Sequence, residues 1–299
     1  MDKLQQMQVL VAVAEESGFA AASRRLGMSP PAVTRAVATL EAALGVKLLK
    51  RTTRHVRVTE AGFRYLEDAR RILAEVEAAD EAAAGINAEP RGRLVVTAPV
   101  LFGRLFVLPG IVDYLHRYPQ MSVDTVFIDR VVSLLEEGLD VGVRIGEMPD
   151  SSMRAIRVGQ VRIVLVAAPH YLAAHGLPAT PEALANHTLI CSRAGNFSNH
   201  WRFGSPTNER AVRVTPRLTV TTNDAAISAA CQGLGIARVL SYQVAPELQG
   251  GQLQRVLPDW EPPALPAHIV HRDDRNPPAK VRAFIDLLAA RLRADRALN

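Results

Sequence analysis

Cysteine is nearly missing from this chain: its 299 residues hold two, Cys191 and Cys231. Two thiols cannot build a disulfide framework or a cysteine-rich zinc site, and both are expected as buried, inert side chains. The eight histidines show no metal-binding spacing, so no metal is expected. His170, His175, His187 and His200 are expected on the surface or in loops. Enzyme signatures are missing too. Gly233-x-Gly235 lacks the third glycine and the acidic residue of a dinucleotide fingerprint. No Gly-x-Ser-x-Gly elbow, Walker loop or paired acid/base site occurs, so neither an enzyme nor a cofactor is expected. The longest uncharged run, Ile163 to Pro181, approaches membrane-spanning length but is broken by Pro169, Gly176, Pro178 and Pro181. Residues 1–6 are polar where a signal peptide needs an apolar core. A soluble, cytoplasmic protein without a membrane partner is the expectation.

An excess of one charge is also small, with 35 Lys/Arg against 30 Asp/Glu, a net of +5. Nucleic acid does not follow from that alone; the placement of the charges matters more. Residues 1–60 carry a net of +4, residues 61–88 a net of −3, and residues 89–299 a net of +4. With 48% hydrophobic residues the chain is ordinary globular material, and its length suits about two domains. A basic head (1–59), an acidic helical neck (60–88) and a large body (89–299) are the expected divisions.

Leu4, Met7, Val11 and Ala14 mark one face of a first helix, ended by Gly18 as a left-handed residue. Phe19 to Leu26 is a short second helix followed by a turn at Gly27-Met28. Ser29-Pro30-Pro31 then gives an N-cap with proline at the first helical position. Val33, Val37, Leu40 and Leu44 form the buried stripe of this third helix, and Gly45 ends it. Val46 to Leu49 and Val56 to Val58 flank a basic stretch and predict a small hairpin, or wing. Helix, turn and proline-started helix in this order predict a winged helix-turn-helix, an all-α-type head.

Thr34, Arg35, Ala38 and Thr39 lie opposite the buried stripe. Ser29, Pro30, Pro31 and Ala32 are small enough for the helix start to approach DNA, where free N–H groups favour phosphate. Arg35 can bind guanine bidentately. Lys47, Lys50, Arg51, Arg54 and Arg57, with Thr52 among them, suit phosphate or minor-groove contact. Helix-turn-helix geometry also occurs in proteins that do not bind DNA, and basic runs are often only solvated. The combination points to double-stranded DNA, with Ser29, Pro30, Pro31, Ala32, Thr34, Arg35, Arg51, Thr52 and Arg54 as contact residues.

In the neck, Tyr65, Ala69, Ile72, Val76, Ala79, Ala83 and Ile86 alternate spacings of four and three, a heptad seam. A dimerisation helix and an amphipathic helix packed on its own domain both fit; the regularity of the seam favours the dimer. Asn87 to Gly92 reads as a hinge-like linker. The body alternates strands (Leu94–Thr97, Val123–Ile128, Asp140–Ile145) with helices (Leu105–Tyr118, Val131–Glu137). The pattern continues through Ile163–Ala167, Pro181–Asn186, Thr188–Cys191, Val212–Val220, Asn223–Gln232, Gly235–Val239 and a last helix, Lys280–Leu292. This predicts an α/β fold with parallel sheets in two units and a ligand cleft between them.

The head resembles that of the LysR-type transcriptional regulators. The resemblance rests on Gly18-Phe19, Ala21-Ala22, Ser29-Pro30-Pro31-Ala32-Val33-Thr34-Arg35, Leu40-Glu41, Leu44-Gly45, Arg51-Thr52-Thr53-Arg54 and Thr59-Glu60-Ala61-Gly62. It extends through Tyr118-Pro119, Leu139 to Gly146, Asn223-Asp224 and Gly233 to Ala237. It implies a linker helix that pairs subunits, dimers that pair into tetramers, and a two-lobed effector domain similar to periplasmic solute-binding proteins. The lobes are expected at about 91–161 plus 268–299 and about 162–267. RNA polymerase is a further implied partner.

By this resemblance a small-molecule effector, an organic anion, sits at Thr97, Ala98, Pro99, Val100, Arg144, Arg193, Thr221 and Asn223. Helix starts at 100–104 and 223–226 would aim free N–H groups into the cleft. Many relatives have a hydroxyl residue where Ala98 or Val100 stands, which implies a less polar pocket. Arg144 pairing with Glu147 or Asp150 is the competing structural role. A cytoplasmic solute-binding protein without a regulatory role is the alternative function, and it leaves the head unexplained.

Overall fold

The computed structural model describes residues 1–51, 56–84, 89–148, 153–194, 198–205, 207–272 and 277–298. The chain divides into two compact units, Met1–Ala88 and Glu89–Asn299.

The first unit holds α1 (Lys3–Glu15), α2 (Phe19–Leu26), α3 (Pro30–Leu44), β1 (Leu49–Arg51), β2 (Val56–Val58) and α4 (Glu60–Ala84). β1 and β2 pair antiparallel as the expected wing. Gly27 and Gly45 take the left-handed conformation that closes α2 and α3. The end of α1 differs from expectation. Ser17, with φ +51°, is the left-handed residue, and Gly18 is extended and starts α2. The buried face of α1 also differs: Met7, Val9, Leu10, Ala12 and Val13 are buried, whereas Leu4 is exposed. The reason is crowding, because α2, α3 and α4 all pack on α1. Val33, Val37 and Leu40 of α3 are buried as expected, each contributing about 1.5–3 kcal/mol relative to exposure.

The neck seam is divided. Ala69 is fully buried in the head, Arg70 pairs with Glu15 of α1 at 3.3 Å, and Tyr65 and Ile72 are half-buried. Val76 is 36% exposed. The start of the seam therefore serves the head's own core. The side chains of Ala79 and Ala83, and Ile86 entirely, lie outside the described residues.

The second unit runs β3 (Gly92–Ala98), α5 (Val100–Phe102), a π turn (Gly103–Val107), α6 (Leu108–Arg117), β4 (Met121–Phe127), β5 (Val141–Ile145) and β6 (Met153–Val161). It continues with β7 (Ile163–Ala167), α7 (Pro169–His175), β8 (Leu189–Ser192), β9 (His200–Phe203), β10 (Arg210–Arg213), β11 (Leu218–Val220) and α8 (Asn223–Cys231). The last elements are β12 (Ile236–Leu240), α9 (Ala245–Gln249), β13 (Gln254–Val256), β14 (Leu265–Arg272) and α10 (Ala279–Ala294).

Two five-stranded sheets result, β4-β3-β5-β14-β6 in lobe I and β11-β8-β12-β7-β13 in lobe II. Both are mixed, which corrects the parallel expectation. β3, β4 and β5 run parallel, and so do β8, β11 and β12. β14 runs antiparallel to β5 and β6, and β7 antiparallel to β12 and β13. The antiparallel strands are those next to the two crossings between lobes, where the chain leaves one sheet and returns to it. The return comes at Leu265, earlier than the expected 268. Val131 to Glu137 forms turns rather than a helix, and Val212 to Val220 splits between β10 and β11. Phe102 and Phe106 of lobe I meet Tyr242 of lobe II at ring distances of 5.3 and 5.6 Å, holding the lobes together. Among the described residues no helix is long and apolar enough to cross a membrane.

Candidate functional site

In the head, Ser29, Pro30, Pro31 and Arg35 are exposed, and Ala32 and Thr34 are half-buried. All lie at or near the start of α3, opposite its buried stripe. Arg35 makes no ion pair among the described residues, so its guanidinium is available to a base edge. One expectation fails here. Within the first turn of α3 the amides are taken: Pro30 and Pro31 carry no N–H, and the amides of Ala32 and Val33 donate to the Ser29 carbonyl at 2.9 and 3.2 Å. The Ser29 side chain makes no cap bond, so its hydroxyl can donate at this end. In the wing, Lys50 and Arg57 are exposed. Lys47 is exposed as well and donates to Glu41 at 2.7 Å. Thr52, Arg54 and the Arg51 side chain lie outside the described residues.

In the second unit a cavity of about 560 Å³ opens between the lobes. Its wall comes from the carboxyl ends of β3, β5, β8 and β12, the place where open α/β sheets bind ligands. Thr97, Ala98, Pro99, Arg144 and Asn223 line it, as expected. Val100, Arg193 and Thr221 do not. Arg193 is exposed outside the cavity wall, and its own N–H continues the sheet to the Val220 carbonyl. Thr221 is exposed just before α8, whose capping residue is Thr222.

At each helix start one N–H is taken up by the protein itself. The Val100 N–H donates to Asp129 at 3.1 Å, and the Ala225 N–H donates to the Thr222 hydroxyl at 3.4 Å. Arg144 makes neither of the ion pairs considered for it among the described residues. Its guanidinium donates to the Val132 carbonyl, and burial pulls its pKa below the ordinary value. Asp150 lies outside the described residues.

Sequence reasoning missed Arg238, Asp129, Trp201 and Tyr242, all on the cavity wall. Arg238 projects from β12, its guanidinium 5.7 Å from the Trp201 ring. Burial lowers its pKa, and no carboxylate pairs with it among the described residues. A signal was present: Arg238 interrupts the apolar run Ile236-Ala237-x-Val239-Leu240, and a charge inside a buried strand needs a reason. Cys191 also lines the cavity, with its thiol pushed up by burial and pulled the other way by Arg238. Both cysteines are unpaired; Cys191 is buried and Cys231 half-buried. His187 is half-buried, its Nδ1 3.3 Å from the Tyr171 hydroxyl, whereas His170, His175 and His200 are exposed.

Known proteins share this arrangement over almost the whole chain. Residues 4–63 match the bacterial regulatory helix-turn-helix protein, lysR family, and residues 87–293 match the LysR substrate binding domain. An uncharacterized HTH-type transcriptional regulator of Haemophilus influenzae is 31% identical over 94% of this chain and 98% of its own. The full-length structure of AphB, a virulence activator of Vibrio cholerae, superposes with a TM-score of 0.64 at 26% identity, covering 97% of this chain and 99% of that one. CrgA of Neisseria meningitidis does so at 0.61 and 29%, covering 96% and 98%. With its helix-turn-helix head and its two-lobed domain around a cavity, the chain belongs to the LysR family of DNA-binding transcriptional regulators.

Proposed function

We propose that this regulator reads its operator through Ser29, Thr34, Arg35 and the wing, and answers to a small organic anion held between the lobes by Arg238 and Arg144. The observation that carries the anion reading is Arg238. It is a half-buried cation on the cavity wall that pairs with no carboxylate among the described residues, and a ligand's negative charge would complete it. Arg144 faces the same space from lobe I. Val132, Val143, Ile145, Met148 and Leu240 supply apolar wall for a carbon skeleton. Calorimetry on the full-length protein with benzoate, benzyl alcohol and benzylamine tests this reading, and benzoate is expected to bind best. Preference for the alcohol or the amine would overturn the anion and leave the regulator standing.

The working unit is a homo-oligomer. Support comes from Val76, exposed on α4, and from Leu105, Leu108 and Val112, exposed at spacings of three and four along one helix face. The neck would pair two copies, and the effector units would pair dimers into a tetramer. Reading DNA places this work in the cytoplasm.

A further inference from the structure

The segment that enters the wing is bonded on both sides. On one side stands Glu41, from the second half of α3, buried at 6% exposure. Its Oε1 accepts the N–H groups of Leu48 and Leu49 at 3.0 and 3.1 Å, and its Oε2 accepts Lys47 Nζ at 2.7 Å. On the other side stands Thr59, the residue that caps α4. Its one hydroxyl proton is shared between the carbonyls of Lys47 and Leu48 at 2.7 and 3.1 Å, and its oxygen accepts the Gly62 N–H at 2.9 Å. The Thr59 N–H also donates to the Leu48 carbonyl at 2.9 Å. Space is tight enough that a Cβ at Gly62 would lie 2.1 Å from the Leu48 oxygen.

A buried carboxylate is costly, and here burial does push Glu41 up. The Lys47 ammonium and the two backbone N–H groups outweigh it, so the group is held below its ordinary value and stays charged. An apolar side chain here would leave the Leu48 and Leu49 amides without this acceptor. What Glu41 supplies is direction: it ties the wing's first residues to α3 at a fixed angle. Thr59 ties the same residues to the first turn of α4.

We infer that Glu41 and Thr59 are positioning residues for DNA recognition, which lock the wing to both α3 and α4 so that wing and α3 meet the operator as one body. The inference rests on the reading that α3 and the wing touch DNA. It also gives α4 a route to the DNA-facing surface: a shift of its first turn is passed to the wing through the Thr59 and Leu48 bonds.

The test uses full-length protein and a duplex of the region upstream of its own gene. Hydroxyl-radical footprints, methylation protection and the salt dependence of affinity are read for Glu41→Ala, Glu41→Gln and Thr59→Val. Glu41→Ala and Thr59→Val are expected to lose the wing's footprint and flatten the salt slope by about one, while the major-groove protection from α3 persists. Glu41→Gln keeps an oxygen for the Leu48 and Leu49 amides and is expected to restore the footprint. Thr59→Val keeps the volume and carries the test if Glu41→Ala loses helix content. A Lys50→Ala, Arg57→Ala double variant checks the premise: an unchanged salt slope there overturns the wing reading and the clamp with it. A changed slope there, with wild-type footprints in Glu41→Ala and Thr59→Val, overturns the clamp alone. Equal loss of wing and α3 protection overturns it as well, because Glu41 and Thr59 would then only hold the head together.

Discussion

The Asp129 carboxylate accepts the backbone N–H of Val100 at 3.1 Å, so the helix start beside the cavity already carries its anion. Helix starts favour negative charge, and here the protein supplies it. The proposed function assigns the organic anion to the arginines. Asp129 and Glu147 line the same cavity as Arg144 and Arg238, so side chains of both charge signs face a ligand there.

Asp129 is expected to make stability depend on pH. Burial raises its pKa above the ordinary carboxylate value, opposed by the Val100 N–H and reinforced by the like charge of Asp224. The folded protein thus holds this proton more tightly than the unfolded chain does. Its contribution is most favourable when protonated and declines as pH rises from the ordinary value through the raised one. Asp129→Asn keeps an oxygen for Val100 and removes the titration. The variant should melt higher at pH 7, and the advantage should vanish below the ordinary carboxylate range. It should also bind benzoate more tightly, since a negative charge has left the cavity. Identical melting curves at both pH values would contradict this account.

Arg238→Met is expected to weaken benzoate binding by roughly tenfold to a hundredfold, the range for a hydrogen bond to a charged group of about 1.5–3 kcal/mol. Arg144→Ala should cost less, because its guanidinium is shared with the Val132 carbonyl. Calorimetry ranks the two, and a larger loss in Arg144→Ala would move the anion's anchor to lobe I.

Arg35→Ala is expected to weaken operator binding by about 1–3 kcal/mol and to change binding to random DNA less. Arg35 is the exposed long donor among the α3 residues proposed for DNA contact. Titrations against both duplexes decide it, with equal losses marking Arg35 as a phosphate contact only.

Val76→Asp is expected to lower operator affinity although Val76 is not among the residues proposed for DNA contact. In a two-fold pair the new charge would face its own copy across an apolar seam, so desolvation and repulsion both oppose pairing. Sedimentation shows the state of assembly, and operator affinity at wild-type level would move pairing away from the neck.

Much of the head could be read from local rules. Pro30 and Pro31 start α3, Gly27 and Gly45 end helices, and Val33, Val37 and Leu40 recur at helical spacing; each acts within a turn or two of chain. Where neighbours crowd in, local reading failed. Helices packing from several sides bury Val9 and Ala12 of α1, and Ala69 turned inward to the head although its spacing alone suited a seam between copies. The Val131 to Glu137 segment had apolar residues at helical spacing, yet tertiary packing holds it as turns around buried Val132 and Leu134.

Strand order and the meeting of distant residues lie beyond any local pattern. Alternating strands and helices do not reveal that β14 returns to lobe I antiparallel, because that depends on where the chain crosses between lobes. Thr97, Arg144 and Asn223 were legible as strand ends and helix starts. Arg238 comes to the cavity because β12 lies between β7 and β8 in the sheet, whereas Arg193, just past the end of β8, is exposed outside it. The sequence by itself determined the helix-turn-helix, the two α/β lobes and their family, since these follow from spacing and motif. Only the tertiary structure decided which charges share the cavity and which carboxylate holds the wing, because burial and pairing are set by residues far apart in the chain.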